Sequence, residues 1–166
     1  MSRLDNAPMP DQHPAITVMG VGNTIMGDDG IGVTLLELVE AACDPPGIEF
    51  VYGGIGGMSL LPVVQDADHL LILDAVAGTT PGEVRVVTGD QIPRLLSAKL
   101  SPHQVGLLDI LTAARMLGHE PNEIVVVGIV PESVDLRVGL TQVVTDALDS
   151  ATRKAVEVIQ GWCSAP

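Results

Sequence analysis

From residue 15 onward, short, almost wholly apolar runs alternate with stretches of helical period, and this alternation limits the fold more than any other feature of the chain. Ala15 to Val21 and His69 to Leu73 carry no polar face to turn toward water. A strand that is apolar on both sides must be covered on both sides, the condition of a parallel sheet sandwiched between helices. Between them, Ile31, Leu35, Leu38, Val39 and Ala42 recur at helical spacing, and Asp44-Pro45-Pro46-Gly47 ends that helix. Strands are expected at 15–21, 48–52, 69–76, 83–88 and 123–130. Helices are expected at about 31–42, 58–67, 102–117 and 141–162. Pro62 fits the first turn of the second helix. Ser101-Pro102 opens the third with an N-cap residue and a proline at the first helical position.

The connection from Val76 to Glu83 is too short for a parallel crossover, which needs about a dozen residues. The fourth strand is therefore expected to run antiparallel. The fold class is α/β: a three-layer α/β/α sandwich on a five-stranded mixed, mostly parallel sheet. With 166 residues the chain has the size of one domain. Residues 15–166 are assigned to it, and residues 1–14, rich in Pro and Asp and lacking an apolar core, to a disordered arm.

Composition removes several function classes. Eight Lys and Arg face 21 Asp and Glu, a formal charge of −13. Such a chain repels phosphate backbones and anionic bilayers, so neither nucleic acid nor membrane is expected as a partner. Two distant cysteines, Cys43 and Cys163, form no CxxC pair and suit a reducing cytoplasm. Cys43 is expected on the apolar face of the first helix. No run of apolar residues reaches membrane-spanning length.

The glycine-rich turn after the first strand invites a nucleotide reading, which its residues refuse. Gly20-Val21-Gly22 begins a dinucleotide fingerprint, but Ile25 stands where the third glycine belongs. Gly22 to Gly27 has phosphate-loop spacing, but Asp28 and Asp29 follow where Lys and Ser or Thr are required. One of these acids can serve as a helix N-cap, leaving the second to face the cleft beyond the strand ends. Asp74 ends an apolar run, either as a turn former or as a carboxylate at the carboxyl end of a central strand, where open α/β sheets bind ligands. His103 falls in the first turn of a helix, where the dipole disfavours the protonated imidazole and keeps it available to a metal. No HExxH and no GxSxG occurs, and no Ser or Cys nucleophile presents itself. Asp29, Asp74 and His103 each follow a strand or open the helix after one. Two oxygens and an imidazole suit a borderline divalent ion such as nickel, zinc or cobalt, with positions left open for water or substrate.

These residues resemble a known family. Gly20-Val21-Gly22-Asn23 with Asp28-Asp29-Gly30-Ile31-Gly32, Leu73-Asp74-Ala75, Ser101-Pro102-His103-Gln104-Val105-Gly106-Leu107, Gly128-Ile129, Pro131-Glu132-Ser133 and Gly139-Leu140 are similar to segments of the hydrogenase maturation endopeptidases. The likeness runs from Ala15 to about Thr141. It implies a three-layer sandwich and a protease, of the aspartyl type, that removes a short C-terminal extension from the large-subunit precursor of a nickel–iron hydrogenase after nickel insertion. It further implies that Asp29, Asp74 and His103 form the catalytic, nickel-recognising site, the nickel arriving with the precursor. Another divalent metal such as zinc or cadmium would fit the same donors. Asp29 is the general-base candidate. Two departures stand out. Where some relatives carry Asp-Gly-Gly-Thr, this chain has Tyr52-Gly53-Gly54-Ile55, and the N-terminal arm has no counterpart. Two other functions remain compatible with the residues: a nickel-sensing chaperone that binds the precursor without cutting it, and a small-molecule metallohydrolase.

Overall fold

β1 (Ile16–Val21) is buried along its whole length, as its composition requires. The computed structural model describes residues 15–43, 45–92 and 102–165, apart from the side chains of 102–105. β1 is joined on one side by β2 (Ile48–Gly54) and on the other by β3 (His69–Ala75), both parallel to it. β5 (Glu123–Ile129) continues the parallel set beside β3, and β4 (Val84–Thr88) closes it antiparallel to β5. The sheet order is β2-β1-β3-β5-β4, so the short connection out of β3 does force the one reversed strand. The arm assigned to residues 1–14 lies outside the described residues.

Alternation along the strands separates two cores. Ile16 and Val18, Leu71 and Leu73, and Val125 and Val127 point to one face. There they meet α1 (Ile31–Ala42) and α4 (Gln142–Ser164), the latter through Val144, Ala151, Ala155, Ile159 and Trp162. Met19, Leu70, Ile72 and Val126 point to the other face. That face is covered by α2 (Leu61–Asp66) and by Leu107, Ile110 and Ala114 of α3 (Pro102–Met116). No described helix is long and apolar enough to cross a membrane.

Local differences from the sequence reading have simple causes. β2 extends through Gly53 and Gly54, because Gly54 still pairs with Val21 after a register shift at Gly20 and Val21. The second helix divides into a 3-10 turn, Gly57–Leu60, and α2, with Pro62 in the first turn of α2. Cys43 is not on the helix face. It is the extended residue that ends α1, yet it is buried in the same core.

Gly32 sets how closely α1 can lie on the sheet. A Cβ there would collide with the carbonyl oxygens of Val21 and Leu73. The helix rests on the backbones of β1 and β3 where a side chain would lift it away.

Candidate functional site

The strand order reverses at β1: the chain goes first to β2 on one side, then to β3 and β5 on the other. In an open α/β sheet this is where a crevice forms beyond the carboxyl ends of the strands. The turn carrying Asp28 and Asp29, Gly27–Gly30, follows β1 at this point and packs against β3. Gly22 makes the fold-back possible. Its φ of 135° is open to glycine, and a Cβ would strike the carbonyl oxygen of Asp29. Its N–H donates to Gly54 O at 2.9 Å, fastening the start of the turn to the end of β2.

The two adjacent acids divide their tasks differently from the expectation of an N-cap and a cleft residue. Gly30 occupies the N-cap of α1, and no side chain caps it. Asp28 is fully buried and ties together distant parts of the chain. Its Oδ2 accepts from the N–H groups of Glu132 and Ser133 at 2.9 and 3.1 Å and from the Thr141 hydroxyl at 2.8 Å. Its Oδ1 accepts from the Thr141 N–H at 2.7 Å. Burial alone raises the pKa of this carboxyl, but the bonds from Thr141, Ser133 and Glu132 together outweigh it and hold the group below its ordinary value. Three backbone bonds complete the junction: Gly27 N–H to Arg137 O at 2.8 Å, Asp28 N–H to Ser133 O at 2.9 Å and Arg137 N–H to Ile25 O at 3.0 Å. The loop after β1 and the loop after β5 are thereby one unit.

Asp29, 5% exposed, accepts from the N–H of Asn23 through Oδ2 at 3.1 Å. Asp74 is completely buried in β3, opposite Gly128 of β5, and its Oδ1 accepts from the N–H of Ala75 at 2.8 Å. By strand alternation Asp74 shares the face of Leu70 and Ile72, which is the face α3 covers. His103 stands in the first turn of α3, and its side chain lies outside the described residues. The backbone places that end of α3 at the same edge of the sheet. A Cβ on Gly106 would lie 3.7 Å from the Cα of Gly57, in the turn after β2. The fold thus brings the loop of Asp29, the strand end of Asp74 and the first turn of α3 to one edge. Among the described residues no three His, Cys, Asp or Glu side chains form a metal-holding group. Asp29 and Asp74 are oxygen donors of the hard-to-borderline type, and a third donor must come from elsewhere.

Two further histidines, His69 and His119, are among the described residues. His69 begins β3 at the opposite edge, stacked on Trp162 with ring centroids 5.0 Å apart and 14° between planes, and 3.9 Å from Glu123. His119 is exposed after the glycine that ends α3. Sequence reasoning missed Thr141 and the Glu132–Ser133 backbone as partners of Asp28. The only signal was the buried acid itself, which has to find donors somewhere.

Comparison with known proteins agrees with this architecture. The family model of hydrogenase maturation proteases matches residues 14–158. The chain is 36% identical over 148 residues to the hydrogenase 2 maturation protease of Escherichia coli strain K12, covering 87% of this chain and 90% of that one. Among solved structures it is similar to the hydrogenase maturating endopeptidase HybD from E. coli, with a TM-score of 0.82 and 35% identity, covering 88% and 92% of the two chains. It is also similar to the NiFe hydrogenase maturation protease HybD from Thermococcus kodakarensis, with a TM-score of 0.68 and 25% identity, covering 90% and 99%. Sequence, fold and site placement lead to one conclusion: this chain belongs to the hydrogenase maturation protease family.

Proposed function

We propose that this protein is an endopeptidase that removes the C-terminal extension from the large-subunit precursor of a nickel–iron hydrogenase. Asp29, Asp74 and His103 would be the residues that meet the nickel carried by that precursor. The observation that carries the reading is the meeting of the Asp29 loop and the Asp74 strand end at the reversal of strand order, in a chain of this family. The nickel is part of the substrate. A divalent ion against these oxygens supplies positive charge that polarises a carbonyl and acidifies water.

The chain's own contribution is the placement of charge. Asp74 is anchored in a central strand, so its carboxylate has little freedom to turn away. Asp29 sits in a turn braced by Asp28, beyond the carboxyl end of β1, and serves as the general base toward a water there. His103, at the start of α3, is the nitrogen donor. The absence of a Ser or Cys nucleophile fits direct attack by water.

The test is incubation of nickel-loaded precursor with the wild-type protein and with Asp29→Asn, Asp74→Asn and His103→Ala, followed by intact-mass measurement. The wild type should remove the extension. The variants should leave the mass of the precursor unchanged while retaining the far-UV circular dichroism of the fold. Normal trimming by Asp74→Asn and His103→Ala would remove these residues from the mechanism. An unchanged mass with the wild type in stable complex would favour a chaperone.

A further inference from the structure

The loops at the catalytic edge carry apolar side chains that the fold does not need. Ile25 follows β1 and is 53% exposed, Ile55 and Met58 follow β2 at 65% and 54%, and Leu136 and Val138 follow β5 at 79% and 82%. Tyr52, near the end of β2, is 63% exposed. Solvent-facing loops ordinarily carry polar residues, and apolar side chains gathered at one place mark a contact surface.

Charge singles out the same region. In a chain with net charge −13, Asn23 to Gly27 and Tyr52 to Leu61 contain no charged residue. Between Pro131 and Leu140, Glu132 and Asp135 outnumber Arg137 by one. The apolar side chains therefore sit in a nearly neutral window of an acidic molecule. The window is also pre-shaped, since Asp28 and the Arg137 backbone bind the first and third of its loops together.

Its layout follows from the strand order. β2 and β5 stand three strand spacings apart with β1 and β3 between them, a span of roughly 14 Å. Asp74 belongs to β3, and Asp29 to the turn that follows β1, the two strands in the middle. Tyr52, Ile55 and Met58 at β2 form one bank and Leu136 and Val138 after β5 the other, Ile25 joining the second through the Arg137 backbone, and the end of β3 with Asp74 lies between β2 and β5 in the strand order.

We propose that these two banks dock the protein substrate itself, gripping uncharged, apolar surface on either side of its cleaved segment. The proposal rests on the endopeptidase reading above and adds how the substrate is recognised. Its occupant is fixed by position. A second copy of the chain seated on both banks would cover the carboxylates and shut out any substrate. An anionic bilayer is opposed by the overall charge. A polypeptide whose scissile bond must lie between the banks has to touch both.

Leu136→Asp and Ile55→Asp place a charge in each bank, at side chains that already face water. KM and kcat are measured on purified nickel-loaded precursor. Each substitution should raise KM about tenfold and leave kcat within about twofold, with thermal midpoints unchanged. Met116→Asp, at a residue 82% exposed on the far end of α3, should change neither constant. Unchanged KM in both bank variants, with a wild type that cleaves, overturns the docking proposal and leaves the endopeptidase standing. Precursor that is bound but not cut by the wild type, and bound about tenfold more weakly by the variants, keeps the banks and removes the protease. A wild type that neither binds nor cuts overturns both. Wild-type dimers that dissociate on Leu136→Asp without a change in KM assign the banks to a second copy and also overturn the proposal.

Discussion

Asp28 and Asp29 are neighbours in sequence and both are buried, yet Asp28 gathers donors from the distant loop after β5 whereas Asp29 accepts from nearby Asn23. The brace has a measurable signature. Four donors converge on the Asp28 carboxylate, and an amide in its place turns N–H toward at least one of them. Asp28→Asn should therefore cost about 2–3 kcal/mol in urea unfolding, the usual penalty for a broken buried charge-assisted network. The pH dependence has a definite sign. The folded pKa of Asp28 lies below its value in the unfolded chain. Its stabilisation is therefore complete above about pH 4 and is lost as pH falls through the folded value. Wild-type stability should drop in that acid range, and the drop should be smaller in Asp28→Asn. Equal slopes in the two proteins would contradict this account.

Elements were legible in the sequence wherever hydrophobic pattern alone determines them. β1 and β3 are apolar throughout and could be placed to within a residue. The antiparallel β4 followed from the length of one connection. Less legible was everything set by glycine or by contact across the chain. β2 runs on through Gly53 and Gly54, residues with poor strand propensity, because β1 offers them partners. The tie from Asp28 to Glu132, Ser133 and Thr141 spans 104 to 113 residues, beyond the reach of any local pattern. Asp74 could be marked as a candidate because it ends an apolar run, and Asp29 because it is the second of two acids between the first strand and the first helix. Which of the two adjacent acids ties the loops together depended on donors that only the folded chain supplies. The seat of α1 gives the element-scale prediction. Gly32→Ala should destabilise the protein by about 3 kcal/mol, since its methyl meets two backbone carbonyls that cannot step aside. Thermal unfolding monitored by circular dichroism would show it, and an unchanged midpoint would mean that α1 can slide on the sheet.

At the scale of the whole molecule, the charge of −13 is unevenly spread, for the segments 23–27 and 52–61 carry none of it. Mutual repulsion among the acids opposes compactness, and salt screens it. The thermal midpoint should rise by several degrees between about 0.01 and 1 M sodium chloride, as the screening length falls from about 30 to about 3 Å. A midpoint independent of salt would show that the acids are already compensated locally. Docking through the apolar banks should survive the same change, because it does not rely on attraction between opposite charges.

The brace at Asp28 also imposes an order of events. Its partners are made long after it: Thr141 leaves the ribosome 113 residues later, roughly 6 to 20 s at ordinary rates of synthesis. The strands can pair in that interval, and Gly22 can already fasten the start of the turn to Gly54, but the Asp28 carboxylate still lacks the donors of the loop after β5. The junction between the loops after β1 and β5 is therefore among the last parts of the newborn protein to take its final shape, closing only after every described strand of the sheet has been made.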